Sequence, residues 1–150
     1  DQIDLLNVNN EMDRIQLPFN LLDNSILRKE RVLRLKTKNI KVDARSIFLQ
    51  GLFFKSPKKL SPKFKFFENE INILNEIAKD HKTSLECIAL NYVLHQKYLD
   101  NVLIGIDSLK QLKLNIENLN VLIPNEVISR IESIRIKNPE FLNPSLWPIE

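Results

Sequence analysis

Asn101-Val102-Leu103-Ile104-Gly105-Ile106-Asp107-Ser108-Leu109-Lys110-Gln111-Leu112-Lys113-Leu114-Asn115 is the stretch whose reading decides the fold. Val102, Leu103 and Ile104 form a continuous apolar run, as expected of a strand buried on both faces in a parallel sheet covered by helices. Gly105 ends that run. Asp107 or Ser108 can then cap a helix in which Leu109, Leu112 and Ile116 recur along one face of a 3.6-residue period. Strand, glycine and helix N-terminus in that order aim backbone N–H groups and the positive end of a helix dipole at one point, which suits a phosphate group. A phosphate-bearing ligand is the first functional expectation.

The same alternation of strand and helix runs upstream. Ile3, Leu5, Leu6 and Val8 read as part of a helix cut by the start of the sequence. Ile15-Gln16-Leu17 is a short strand closed by Pro18, which has no N–H for the ladder. Asn24 and Ser25 are cap candidates for a helix through about Thr37, with Ile26 and Leu33 inward and Arg28, Lys29, Arg31 and Arg34 outward. Asn39 can take the left-handed conformation that ends it. Ile40 to Ser46 alternates as a second strand, which completes a βαβ unit.

Gln50-Gly51-Leu52 turns into a basic loop, and residues 70–81 form a helix carrying Ile71, Leu74 and Ala78 on one face. Thr83 and Glu86 have capping-box spacing for the next helix, which presents Leu85, Ala89, Tyr92 and Val93. After the opening stretch, Pro124 starts a last helix to about Ile136 with Val127, Ile128, Ile131 and Ile134. An irregular tail follows, punctuated by Pro139, Pro144 and Pro148.

Composition bounds the function. The 150 residues, 43% of them hydrophobic, suffice for one domain with its own core. The single cysteine, Cys87, excludes an internal disulfide and reads as a small core hydrophobe, which fits a reducing cytoplasm. No secretory signal opens the chain and no apolar run approaches the roughly 18 residues of a membrane span, so a soluble protein without membrane partners is expected. The net charge of +3 is mild. Lys55 to Lys65 is the one basic stretch, and a nucleic-acid reading would pair its lysines with Phe64 or Phe66 for stacking. No recognised binding module surrounds it, and a solvated loop is the favoured reading, with no nucleic-acid partner.

Three segments carry a resemblance. Ile15 to Asp23, Ala44 to Leu52, and Gly105 with Ser108, Gln111, Leu112 and Asn115 are similar to the sixth, seventh and eighth strand regions of the aldo-keto reductases, in order and spacing. The closing Asn143-Pro144-Ser145-Leu146-Trp147 resembles the tail of bacterial members. The resemblance implies an α/β fold, a partial TIM (β/α)8 barrel with parallel strands alternating with helices, in which this chain is the C-terminal part. A complete barrel takes about 250 residues. Three strands of such a barrel leave open edges, so the isolated chain is expected to associate or to be only partly ordered.

The resemblance also implies a cofactor, NAD(P)H, and a small-molecule carbonyl or alcohol substrate. It places the nicotinamide carboxamide on Gln16, the pyrophosphate along Ser46, Phe48 and Gly51, and the adenosine phosphate and adenine on Gly105, Ser108, Gln111 and Asn115. Arg45 stands where many members have a tyrosine that stacks on the nicotinamide. Its planar guanidinium can stack too, or it can pair with a carboxylate such as Asp43. Gln16 can equally be an edge glutamine without a ligand. Trp147 either covers the barrel or substrate mouth or packs structurally.

The family's catalytic Asp, Tyr, Lys and His belong to earlier strands, and no catalytic residue is expected here. Tyr92, Tyr98, His81 and His95 fall on or beside helices. Non-catalytic descent from the barrel, as a nucleotide-binding or interaction module, is the alternative. Where a 2′-phosphate would need basic groups, Gly105 and Gln111 stand with Asp107 nearby, so use of NADH at least as well as NADPH is expected.

Overall fold

The computed structural model describes residues 12–147. The expected opening helix around Ile3 to Val8, and Pro148, lie outside the described residues. Three parallel strands, β1 (Arg14–Pro18), β2 (Lys41–Arg45) and β3 (Asn101–Val102), form one sheet in the order β1-β2-β3. Gln16 pairs in register with Asp43 and Pro18 with Arg45, while Asp43 pairs with Asn101 across the second seam. Helix α1 (Ile26–Thr37) connects β1 to β2; α2 (Glu68–Asp80) and α3 (Leu85–Leu94) lie between β2 and β3; α4 (Leu109–Glu117) and α5 (Asn125–Ser133) follow. The expected parallel α/β architecture is therefore what the described residues adopt.

Local chemistry sets the element ends. Asn20 Oδ1 accepts from the N–H groups of Leu22 and Asp23 at 2.9 and 3.0 Å, turning the chain sharply after β1. Ser25 caps α1 through Arg28 N at 3.2 Å, and Asn39 takes φ 60° to end it. The cap of α3 is Ser84, whose Oγ accepts from Cys87 N at 3.1 Å, not the expected Thr83. Lys82, at φ 51°, reverses the chain after α2 and delays the next helix by one residue. The expected helix at 70–81 begins two residues earlier, and His81 is its cap.

One side of the sheet carries the core. Leu17, Phe19, Val42 and Ala44 pack with Val32 and Leu35 of α1, Ile71, Leu74 and Ile77 of α2, Ile88, Ala89 and Tyr92 of α3, and Val127 and Ile131 of α5. The Phe19 ring stacks parallel to Tyr92 at 6.2 Å and meets Tyr98 edge-on at 6.0 Å. Removing these side chains from water, at about 25 cal/mol per Å² of apolar surface, is the main force holding helices to strands.

Two expectations about α1 are corrected. Ile26 and Leu33 face solvent, the former 74% exposed, while Val32 and Leu35 face the sheet. The 12-residue helix has apolar side chains on more than one face, and contact with β2 selected the Val32–Leu35 side. Arg28 turns back to form a two-pronged ion pair with buried Asp23, at 3.1 and 2.7 Å. The Leu109, Leu112 and Ile116 face of α4 is likewise exposed, at 67% for Leu109 and 57% for Ile116. Periodicity located this apolar stripe, but no described element lies over it.

The third strand also departs from a run buried on both faces. β3 is two residues long, with Val102 and Ile104 half-buried and Leu103 exposed. Leu103 N still donates to the Ala44 carbonyl at 2.8 Å, extending the ladder by one rung. Only the helix-facing side is covered.

The basic segment is more ordered than a solvated loop. Three 3₁₀ turns, Leu52–Phe54, Pro57–Lys59 and Pro62–Phe67, fold it against the tail, and two of them start on a proline whose fixed φ suits the first helical position. Leu60, Phe64 and Phe67 are buried. Phe64 meets Trp147 edge-on at 4.7 Å, and Phe66 stacks on Phe141 at 4.2 Å. Both rings that a nucleic-acid reading would use for stacking are thus engaged inside the protein.

Candidate functional site

Two chain segments leave the sheet at the C-terminal ends of neighbouring strands, residues 46–51 after β2 and 103–108 after β3. In open or closed parallel sheets this is the end where ligands bind, because the connecting loops there are free to vary over a rigid scaffold. Between the two segments lies a cleft of about 680 Å³, lined by Ser46, Ile47, Phe48, Gln50, Gly51, Phe54, Glu86, Leu103, Ile104, Gly105, Asp107, Gln111, Leu114 and Asn115. That volume falls within the roughly 300–1,000 Å³ of small-molecule and cofactor sites.

One wall has unusual backbone geometry. Ser46, Leu49, Gln50 and Gly51 all have positive φ, at 58°, 45°, 54° and 75°. Side chains with a Cβ adopt this conformation at a cost of about 1–2 kcal/mol each. The turn is held by Leu49 N donating to Ser46 O at 2.9 Å and Leu52 N donating to Leu49 O at 3.1 Å, with Ile47, Leu49 and Leu52 buried beneath it. Phe48 packs on Phe54 at 5.0 Å and contributes an aromatic side to the cleft. At Gly105, by contrast, a Cβ would meet nothing within 4 Å, so this glycine keeps the opposite wall open.

The N-terminus of α4 closes on itself. Ser108 Oγ accepts from Gln111 N at 3.2 Å, and Gln111 Oε1 accepts from Asp107 N at 2.7 Å. These reciprocal bonds satisfy two backbone donors that the sequence reading offered to a phosphate. Ser108 is the cap; Asp107 sits one residue before it and is among the residues lining the cleft.

Of the nine positions expected to hold a cofactor, the cleft gathers Ser46, Phe48, Gly51, Gly105, Gln111 and Asn115. Ser108 caps the adjoining helix outside the lining, and Gln16 and Arg45 lie on the sheet. Asp43 Oδ1 accepts from Arg14 Nη1 at 2.6 Å and from Asn101 Nδ2 at 2.9 Å, so those three side chains share the face away from the helices. Gln16, two residues beyond Arg14, and Arg45, two beyond Asp43, belong to the same face by strand alternation, and both are exposed. Arg45 Nη1 donates to Ser46 Oγ at 3.3 Å. The alternative that Arg45 pairs with Asp43 is therefore corrected: Arg14 holds that carboxylate.

Glu86 lines the cleft from the first turn of α3, a position read from sequence only as part of a capping box. The actual cap at Ser84 leaves the Glu86 carboxylate free of that task. Tyr92 and Tyr98 stand away from the cleft, beside Phe19. Burial, then the negative charge of Glu132, raises both hydroxyls well above the ordinary tyrosine range, which makes them poor proton donors. Trp147 donates its indole N–H to Phe141 O at 2.7 Å and packs on Phe64, the structural role among its two readings.

The described residues form a parallel α/β sheet with a cleft across the C-terminal ends of two adjacent strands, one wall glycine-opened and the other built of left-handed turns. A family model describing the aldo/keto reductase family matches residues 8–136. The chain belongs to that family, whose members are oxidoreductases that generally use NAD(P)H. Comparison with curated proteins finds no match. No described helix is long and apolar enough to cross a membrane.

Proposed function

We propose that the chain is the cofactor-holding, C-terminal part of a single (β/α)8-barrel domain of bacterial type, and that the complete protein interconverts a carbonyl and an alcohol with NAD(P)H in the cytoplasm. The observation that carries this reading is the cleft. Residues matched separately in the second and third sequence segments, more than fifty positions apart, converge on one cavity at the C-terminal ends of β2 and β3.

Ser46, Phe48 and Gly51 flank the pyrophosphate, and Gly105, Ser108, Gln111 and Asn115 frame the adenosine end. Gln16 bonds the nicotinamide carboxamide and Arg45 covers the ring, both from the exposed polar face of the sheet. A nicotinamide, when bound, supplies or accepts the hydride. The chain's residues orient it and cover its faces. The catalytic Asp, Tyr, Lys and His belong to the strands that complete the barrel, so this part alone is inactive. The exposed apolar stripe of α4 and the open edges of a three-stranded sheet support a larger assembly, since closure of a barrel pairs every edge.

Calorimetric titration of the full-length protein with NADH and NADPH tests the reading, with Gln16→Ala and Arg45→Ala as variants. Each replacement is expected to weaken binding by about 1–3 kcal/mol without loss of fold. Unchanged affinity in both variants would remove these two residues from the site. Absence of binding to either nucleotide would leave the non-catalytic interaction module as the better account.

A further inference from the structure

We propose that Asn91, buried in α3, is a positioning residue for the cleft: its hydrogen bond to the Asn118 carbonyl fixes α4, the helix that carries Gln111 and Asn115, against α3. For what the cleft binds, the proposal rests on the cofactor reading above. Asn91 is fully buried among Cys87, Ile88, Leu90 and Val93 of the same helix, which are buried too. Its Nδ2 donates within α3 to the Cys87 carbonyl at 2.9 Å and across to the Asn118 carbonyl at 2.7 Å. Both protons of that nitrogen are used, and a flipped amide would set Oδ1 against two carbonyls. Oδ1 itself has no partner among the described residues. A buried acceptor left unpaired detracts from stability, so a leucine here would serve the core better. What the asparagine adds is the link to α4.

The helix has little else to hold it. None of the nine residues of α4 is buried, and the bonds at its N-terminus, among Asp107, Ser108 and Gln111, are local. Among the described residues, the hydrogen bond that joins α4 and its caps to another helix comes from Asn91. That bond falls on the face that matters. Gln111, Leu114 and Asn115 line the cleft, and Asn118 continues their row at the next turn. Leu109, Leu112 and Ile116 lie on the other side of the helix by its period, so a cover over that stripe does not replace the link. Because α3 supplies Glu86 to the same cleft, Asn91 sets the spacing of two helices that both line it.

Calorimetric titration of the full-length protein with NADH, NADPH and ADP, the last a probe of the adenosine end alone, tests the proposal together with amide hydrogen exchange. Asn91→Leu and Asn91→Ala should each weaken the nucleotides that the native protein binds by about tenfold and speed exchange in the last turn of α4. Leu35→Ala, which removes buried contacts in α1, should lower the melting temperature and leave both affinity and α4 exchange as they were. That contrast separates positioning from a general loss of stability. In the native protein, bound nucleotide should slow exchange at the N–H groups of Asn118 and Leu119, a result that needs no variant. Native affinity in both Asn91 variants, equal weakening by Leu35→Ala, or no protection of those two groups on binding overturns the proposal and leaves the cofactor site standing. Failure of the native protein to bind any of the three nucleotides overturns the cofactor reading itself and this proposal with it.

Discussion

The N–H of Val42 donates to Asp100 Oδ2 at 2.6 Å, and the N–H of Asp100 donates back to the Val42 carbonyl at 2.8 Å. The same carboxylate holds Lys36 Nζ at 2.6 Å, so one residue ties the end of α1 to β2 at the entry to β3. This clamp stands at the N-terminal end of the strands, opposite the cleft, where a scaffold can be stiff without impeding a ligand.

Asp100→Asn should lower stability by about 1 kcal/mol at neutral pH, because the exposed ion pair is lost while an acceptor for Val42 N remains. The Lys36 ammonium first, then the Val42 N–H, hold the Asp100 carboxyl below its ordinary 3.8. A depressed folded value contributes stability above the unfolded one and loses it as pH falls through the folded one. The gap between native and variant melting temperatures should therefore be constant from pH 7 to about 5 and close progressively below pH 3.8. A gap that persists at pH 2 would assign the effect to packing.

The two glycines should respond oppositely. Gly51 has φ 75°, and the nearest obstacle to a Cβ, Phe54 Cδ2, lies at an ordinary 3.6 Å. Gly51→Ala should therefore cost about 1 kcal/mol through the backbone alone. At Gly105 nothing lies within 4 Å of a Cβ, and Gly105→Ala should change urea-unfolding stability by less than about 0.5 kcal/mol. Gly105→Val should likewise fold but weaken nucleotide binding by filling the cleft. Unaltered binding in Gly105→Val would exclude this wall from the site.

Trp147 is the sole tryptophan, and its ring sits edge-on to buried Phe64 at 4.7 Å. Phe64→Ala should destabilise the protein by about 3 kcal/mol and shift tryptophan emission to the red as the tail loses its seat. Lys58→Ala and Lys59→Ala, on exposed positions of the same segment, should leave both properties unchanged. Equal effects from the lysines and the phenylalanine would show that charge, not ring packing, holds the segment.

Legibility in sequence followed the range of the forces involved. Ser25, Ser108 and Asn39 act on backbone groups within three or four residues, and each was readable as an end signal. Thr83 was misread for Ser84 because two hydroxyls stood side by side, and the left-handed turn at Lys82 decided between them. Leu109, Leu112 and Ile116 were readable as a stripe but their exposure was not, since period 3.6 reports which side chains share a face and nothing about what covers it. Phe64 and Phe66 looked available for stacking because their partners, Trp147 and Phe141, lie about eighty residues away.

By itself the sequence determined the alternation of strand and helix, the parallel sense that such connections impose, and the segments that resemble a family of oxidoreductases. These follow from local periodicity, capping and short-range pattern. The tertiary structure decided which of the matched residues share a cleft, that Arg14 rather than Arg45 neutralises Asp43, and that Glu86 lines the same cleft as Asp107. Each of those is a meeting of side chains from different elements. Strand register and helix placement bring them together, and no spacing along the chain encodes the distance between them.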